Sequence, residues 1–152
     1  MRKVIVDTNL LCLVVVGDVD RSAVSRHKRL SQFSPEDYDA VVGILRTFEG
    51  LIVCPHVLSE TSNIVRLTAE PLKSRAGAAL RALIEGHEER SIEAVEASRH
   101  RDYLRLGLTD AVLLTIAQTG GTLFTTDLDL YLAASATGHE VLNYNHIRDF
   151  DA

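Results

Sequence analysis

Short apolar runs alternate along the chain with longer stretches of helical spacing. Val4-Ile5-Val6, Leu51-Ile52-Val53-Cys54 and Thr122-Leu123-Phe124-Thr125 lack the polar alternation of a half-exposed strand. Each reads as a strand covered on both faces. Glu140-Val141-Leu142-Asn143 predicts a last strand, followed by a short polar tail, and residues 89–94 are ambiguous, admitting a short strand around Ile92.

Between these runs the pattern predicts helices. One starts at Leu10 and breaks at Gly17-Asp18; a second, capped by Asp20, runs to about Ser31. Ser34-Pro35-Glu36-Asp37 has the order cap, proline, acidic first turn, and opens a helix ending near Gly50. Pro55 and Pro71 open two more, reaching about Leu67 and Gly86. A helix from about Val95 to Leu106 stops at Gly107, Thr109 caps one from Asp110 to Gln118, and residues 128–137 form the last.

Strands separated by helices imply right-handed crossovers and a parallel sheet between two helical layers. The expected fold is therefore α/β, a three-layer α/β/α sandwich. The length of 152 residues suits one domain over 1–152, since two would each bury too little surface. We find no repeat, linker or low-complexity segment.

Composition adds modest limits. With 46% hydrophobic and 24% charged residues the chain belongs with soluble globular proteins rather than disordered ones. Its formal charge of -5 excludes nucleic-acid binding by bulk basicity, so any such contact must be local. Cys12 and Cys54 stand in apolar surroundings without metal-ligand spacing, and read as buried free thiols in a reducing compartment. Arg2 and Lys3 precede apolar residues as in a signal peptide, but Asp7-Thr8-Asn9 interrupts that run and no small-residue cleavage site follows. No run approaches the ~18 apolar residues of a spanning helix. The expected location is cytoplasmic, with no membrane association.

The candidate chemistry lies where apolar runs meet acids. Asp7 ends the first strand and Asp127 follows the third, with Asp129 two residues on. Each alone reads more readily as a helix cap or first-turn acid than as a ligand. Asp110 opens a helix too apolar to be anything but buried, which puts its carboxylate at the rim of the core. Glu60 falls beside the apolar stripe of Val57, Thr61 and Ile64, where a glutamate can equally be a boundary residue covering core with its methylenes.

Taken together, Asp7, Glu60, Asp110 and Asp127 can converge beyond the carboxyl ends of the strands, where such sheets bind ligands. Packed carboxylates repel, so one must take up a proton unless a cation is present. Oxygen ligands without His or Cys suit Mg²⁺ or Mn²⁺, and such a site can activate water against a phosphodiester. Thr8, Asn9, Thr125 and Thr126 can orient the carboxylates or bound waters.

The motifs Val6-Asp7-Thr8-Asn9, Leu58-Ser59-Glu60, Leu108-Thr109-Asp110-Ala111 and Thr125-Thr126-Asp127-Leu128-Asp129-Leu130 resemble the acidic signatures of the PIN-domain family across nearly the whole chain. The resemblance implies a PIN-like α/β/α fold and a Mg²⁺- or Mn²⁺-dependent ribonuclease. It implies Asp7, Glu60, Asp110 and Asp127 as the acidic quartet, with Asn9, Thr126 and Asp129 in support. Within the family the chain is most similar to toxins of VapBC-type toxin-antitoxin pairs, which implies a homodimer and an antitoxin partner. The segment 17–50 is long and helix-rich beside the most compact members.

Candidate substrate contacts are Arg21, Lys28 and Arg29, within about 100° of one another on a helix, and Arg101 and Arg105 beside Arg99. A solvated face explains the first group as well as RNA contact does. The six histidines are scattered and none is given a catalytic role. Competing expectations are a non-catalytic PIN-like module that binds RNA or protein, and a phosphoacceptor domain, the latter weakened by the lack of a lysine after a late strand.

Overall fold

The computed structural model describes residues 2–151; Met1 and Ala152, the ends of the expected domain, lie outside the described residues. Five strands form one sheet in the order β3-β2-β1-β4-β5. They are β1 (Val4–Val6), β2 (Leu51–Val53), β3 (Glu88–Glu89), β4 (Thr122–Thr125) and β5 (Val141–Asn143). Every pairing is parallel, with Val4 opposite both Leu51 and Thr122. The first, second and fourth strands are buried throughout, as their unbroken apolar runs require.

The strand order reverses at β1, whose successor lies on one side and β4 on the other. Right-handed crossovers then send the early and late helices to opposite faces. On one side α1 (Thr8–Val19) packs against α2 (Pro35–Leu45), α3 (Pro55–Val65) and α4 (Leu72–Gly86). On the other, α7 (Leu108–Ala117) packs against α5 (Ala94–Ala97), α6 (Tyr103–Leu106) and α8 (Leu128–Ala136). The architecture is a three-layer α/β/α sandwich. Two helices are buried nearly all round: α1 from Leu10 to Gly17, and α7 at Ala111, Val112, Leu113, Leu114, Ile116 and Ala117.

Several expectations change. Gly17 does not break α1; it lets Tyr38 pass, since a Cβ there would lie 2.2 Å from Tyr38 Cδ2. Asp20 caps as expected, but the chain beyond it makes two 3₁₀ turns, Arg21–Ser25 and Lys28–Leu30, rather than one helix. The cause is local competition: the Asp20 carboxylate accepts from the Ser22 N–H and hydroxyl, and His27 Nδ1 accepts from the Arg29 N–H. Similarly, His100 Nδ1 takes the Asp102 N–H, and the single helix expected over 95–106 becomes α5 and α6. The ambiguous strand sits at Glu88–Glu89, ahead of Ile92, and α2 stops at Leu45, short of Gly50.

The expected polar tail is instead a helix, α9 (Tyr144–Asp151). It is fastened by Asp37, whose carboxylate accepts from the Tyr144 hydroxyl at 2.5 Å and from Arg148 Nη1 at 3.0 Å. Asp37 also completes the capping box of α2 with Ser34. Among the described residues no helix is long and apolar enough to cross a membrane. Cys12 and Cys54 are free and buried, and burial pushes the Cys12 thiol up to about 12.

Candidate active site

The turns after β1 and β4 stand side by side at the point where the strand order reverses, and Asp7 and Asp127 occupy them. Both acids are helix caps. Asp7 Oδ1 accepts from the Leu10 N–H at 3.0 Å, starting α1, and Asp127 Oδ1 accepts from the Leu130 N–H at 3.1 Å, starting α8. The second oxygen of Asp7 is also held, by the Thr125 hydroxyl and by the Thr126 N–H at 3.0 Å. This carboxylate is buried and fixed from both strand ends. Burial raises its pKa against the lowering effect of those bonds, and the nearby Asp127 raises it further.

Glu60 reaches the same place from α3. Its Oε1 accepts from the Thr8 hydroxyl at 3.1 Å and its Oε2 from the Thr109 hydroxyl, so it bridges the first turns of α1 and α7. Thr109 therefore does not cap α7: that helix begins at Leu108, after Gly107 with its φ of 92°. Asp110, one residue further on, is half-buried and accepts no hydrogen bond from the described residues. Its pKa is pushed up to about 7, first by burial and then by Asp127, Asp7, Glu60 and Asp129.

Asp7, Glu60, Asp110 and Asp127 line one cavity of about 220 Å³ with Thr8, Asn9 and Thr109. Ile64 and Leu113 form its apolar walls, and Arg29 is its one lining cation among the described residues. Asp129 is exposed in the first turn of α8 and acts on the cavity through its charge. Thr126 contributes its backbone: its carbonyl accepts from Asn145 Nδ2 at 3.1 Å, tying the loop to α9. A larger hollow of about 620 Å³ beside α1, α2 and α4 contains none of the predicted site residues. Chemistry, rather than size, marks the smaller cavity.

The basic candidates divide. Arg21 is committed to Asp39 at 2.8 Å, and Arg101 and Arg105 to Asp102 at 3.6 and 2.9 Å. Lys28 and Arg29 have no ion pair among the described residues, and only Arg29 reaches the acidic cavity. Sequence reasoning missed the Glu60–Thr109 contact and the ties from α9. The first had a signal in the hydroxyl beside Asp110, whereas the second depends on contacts more than a hundred residues apart in sequence for Asp37.

Among the described residues, no three His, Cys, Asp or Glu side chains close tightly enough around one point to form a ready metal cage. The donor set still suits a hard divalent cation. It is all oxygen, burial and then neighbouring carboxylates raise the pKa values of Asp7 and Asp110, and Asp110 has no hydrogen bond from the described residues fastening it in place.

No family model matches the chain, and no curated protein does. Several solved structures are similar, these two among them. The crystal structure of PAE2754 from Pyrobaculum aerophilum is 15% identical with a TM-score of 0.58, the match covering 96% of this chain and 92% of that one. A domain of a functionally unknown protein from Methanocaldococcus jannaschii is 23% identical with a TM-score of 0.48, covering 94% and 91%. The first supports the sandwich fold over almost the full length.

Proposed function

We propose that the chain is a divalent-metal-dependent endoribonuclease of the PIN type, acting in the cytoplasm as the toxin of a toxin-antitoxin pair, with a homodimeric state and a protein antitoxin as partner. The observation that carries this reading is Asp110: a carboxylate beside four other acids, with its pKa raised to about 7, in a cavity at the strand-order reversal. Mg²⁺ or Mn²⁺ would be held by Asp7, Glu60, Asp110 and Asp127, with Asp129 within reach through water, and when bound would acidify water and offset charge on a phosphodiester.

The chain's own residues set the stage for this chemistry. Asp7 is immobilised by Leu10, Thr125 and Thr126, and gives the site a fixed reference. Thr8 and Thr109 aim the Glu60 carboxylate between them. Asp110 carries a proton below about pH 7 when no cation is present and must lose it to become a ligand. Ile64 and Leu113 keep one wall of the cavity dry, which strengthens the field of the acids.

One observation favours a second reading, a binding module without catalysis: the acids do not close on a single point. Incubating RNA with the protein and Mn²⁺ separates the two. The ribonuclease cleaves, and Asp110→Asn lowers the rate by roughly a thousandfold or more with its circular dichroism unchanged. Equal cleavage by the variant overturns the mechanism. Absence of both cleavage and a Mn²⁺-induced thermal shift in the wild type favours the module.

A further inference from the structure

The cavity of acids does not end at Arg29. The same arginine lines a second hollow of about 480 Å³, formed with Arg26, His27, Lys28, Leu67 and Thr68. The 3₁₀ turn Lys28–Leu30 presents this edge firmly, because its own Leu30 and the preceding His27 are buried while Lys28 and Arg29 are exposed. The Arg29 N–H is bound by His27 Nδ1 at 3.2 Å, which holds the turn closed. Arg26 is partly engaged, with Asp20 at 3.2 Å, but Lys28 and Arg29 have no acidic partner among the described residues.

We propose that this basic hollow is a second subsite, continuous with the acidic cavity through Arg29, that seats the backbone of a single-stranded RNA beside the bond to be cut. The inference rests on the ribonuclease reading and specifies how its substrate lies. A chain with formal charge -5 repels a polyanion overall, so an unneutralised cationic edge next to the acids supplies local attraction where it is needed. Leu67, 57% exposed just beyond the end of α3, offers an apolar surface in the same hollow. Unpaired bases can stack on guanidinium planes such as those of Arg26 and Arg29 in the same hollow, whereas the bases of a duplex are stacked away from them. The segment between α1 and α2 thereby acquires a role: it carries the cationic turn to the mouth of the cavity.

The test is fluorescence anisotropy with a labelled single-stranded oligoribonucleotide over a series of salt concentrations, in an Asp110→Asn background so that the strand is not consumed. Adding Lys28→Ala and Arg29→Ala should weaken binding about tenfold at low salt and lower the slope of log K against log salt by about 1.4, two phosphate contacts at about 0.7 each. Arg81→Ala, which removes one exposed positive charge from α4, is the control and should change binding less than twofold. An unchanged affinity and slope in the Lys28/Arg29 variant overturns the subsite, as does equal weakening by Arg81→Ala. Cleavage by the wild type is measured separately. RNA cut with no effect of the double substitution removes the subsite and leaves the nuclease, while binding lost with no RNA cut by the wild type leaves the subsite and removes the nuclease.

Discussion

Asp37 and Asp110 are carboxylates drawn away from water in the same small protein, and their surroundings treat them in opposite ways. Burial raises the pKa of Asp37, but the Tyr144 hydroxyl, the Ser34 N–H and hydroxyl, and the Arg148 guanidinium together outweigh it, and the net shift is downward. Asp110 has burial and four like charges acting in one direction, and ends near 7. The Asp37 site is complete in itself and fastens α9 to α2. The Asp110 carboxylate accepts no hydrogen bond from the described residues and shares its cavity with three other acids and one cation, Arg29, an arrangement that does not help the fold.

The largest effect expected on stability comes from breaking the complete site. Asp37→Ala removes the partner of Arg148 and Tyr144 together with the capping box, and should cost about 2–3 kcal/mol in urea denaturation with an unchanged m value. A loss under about 0.5 kcal/mol would mean that α9 is held by other contacts.

Asp110→Asn should act in the opposite direction. In the ion-free wild type the folded-state pKa of Asp110 lies above its unfolded value of 3.8, so the folded chain binds more protons between those limits and its stability falls as pH rises toward about 7. The asparagine variant escapes this penalty. Its stability advantage should grow from about pH 4 to about pH 7 and reach on the order of 1 kcal/mol, discounted because the group is partly solvated. His27 and His87, whose pKa values are lowered first by desolvation, oppose the trend below pH 6.5, and both proteins share that effect. Thermal melts of the pair across this range, with EDTA present, test the difference. Mn²⁺ should then raise the melting temperature of the wild type by several degrees and that of the variant less, with affinity falling as pH drops below about 7.

The smallest effect tests whether the two regions communicate. Asn145 donates to the Thr126 carbonyl and accepts from Arg148 Nη2 at 2.6 Å, so the Asp37 network touches the loop that holds Asp7. Asn145→Ala should cost about 1 kcal/mol of stability and lower cleavage only a few-fold through kcat. A thousandfold loss would place Asn145 at the chemistry itself.

The sandwich is legible because its signals are local: unbroken apolar runs, an N1 proline after a capping serine, and acids at strand ends. The four acids of the cavity are legible only as a set, since each alone reads as a cap, first-turn or boundary residue. Segments 20–31 and 95–106 mislead because single side chains, Asp20, His27 and His100, bind neighbouring N–H groups and divide what the residue pattern draws as continuous helices. Gly17 misleads because its meaning depends on Tyr38, which arrives from another helix. The role of α9 depends on Asp37, and no local pattern near residue 144 announces it.

The two caps at the strand ends have a consequence for heredity. Asp7 uses one oxygen to start α1 and the other to join Thr125 and Thr126, so a lineage that loses this acid damages its fold along with the cavity. Asp110 has no such second duty, and its replacement relieves repulsion. If the proposed ribonuclease burdens growth, silenced descendants should therefore keep Asp7 and discard Asp110, leaving a well-folded relic with one acid missing.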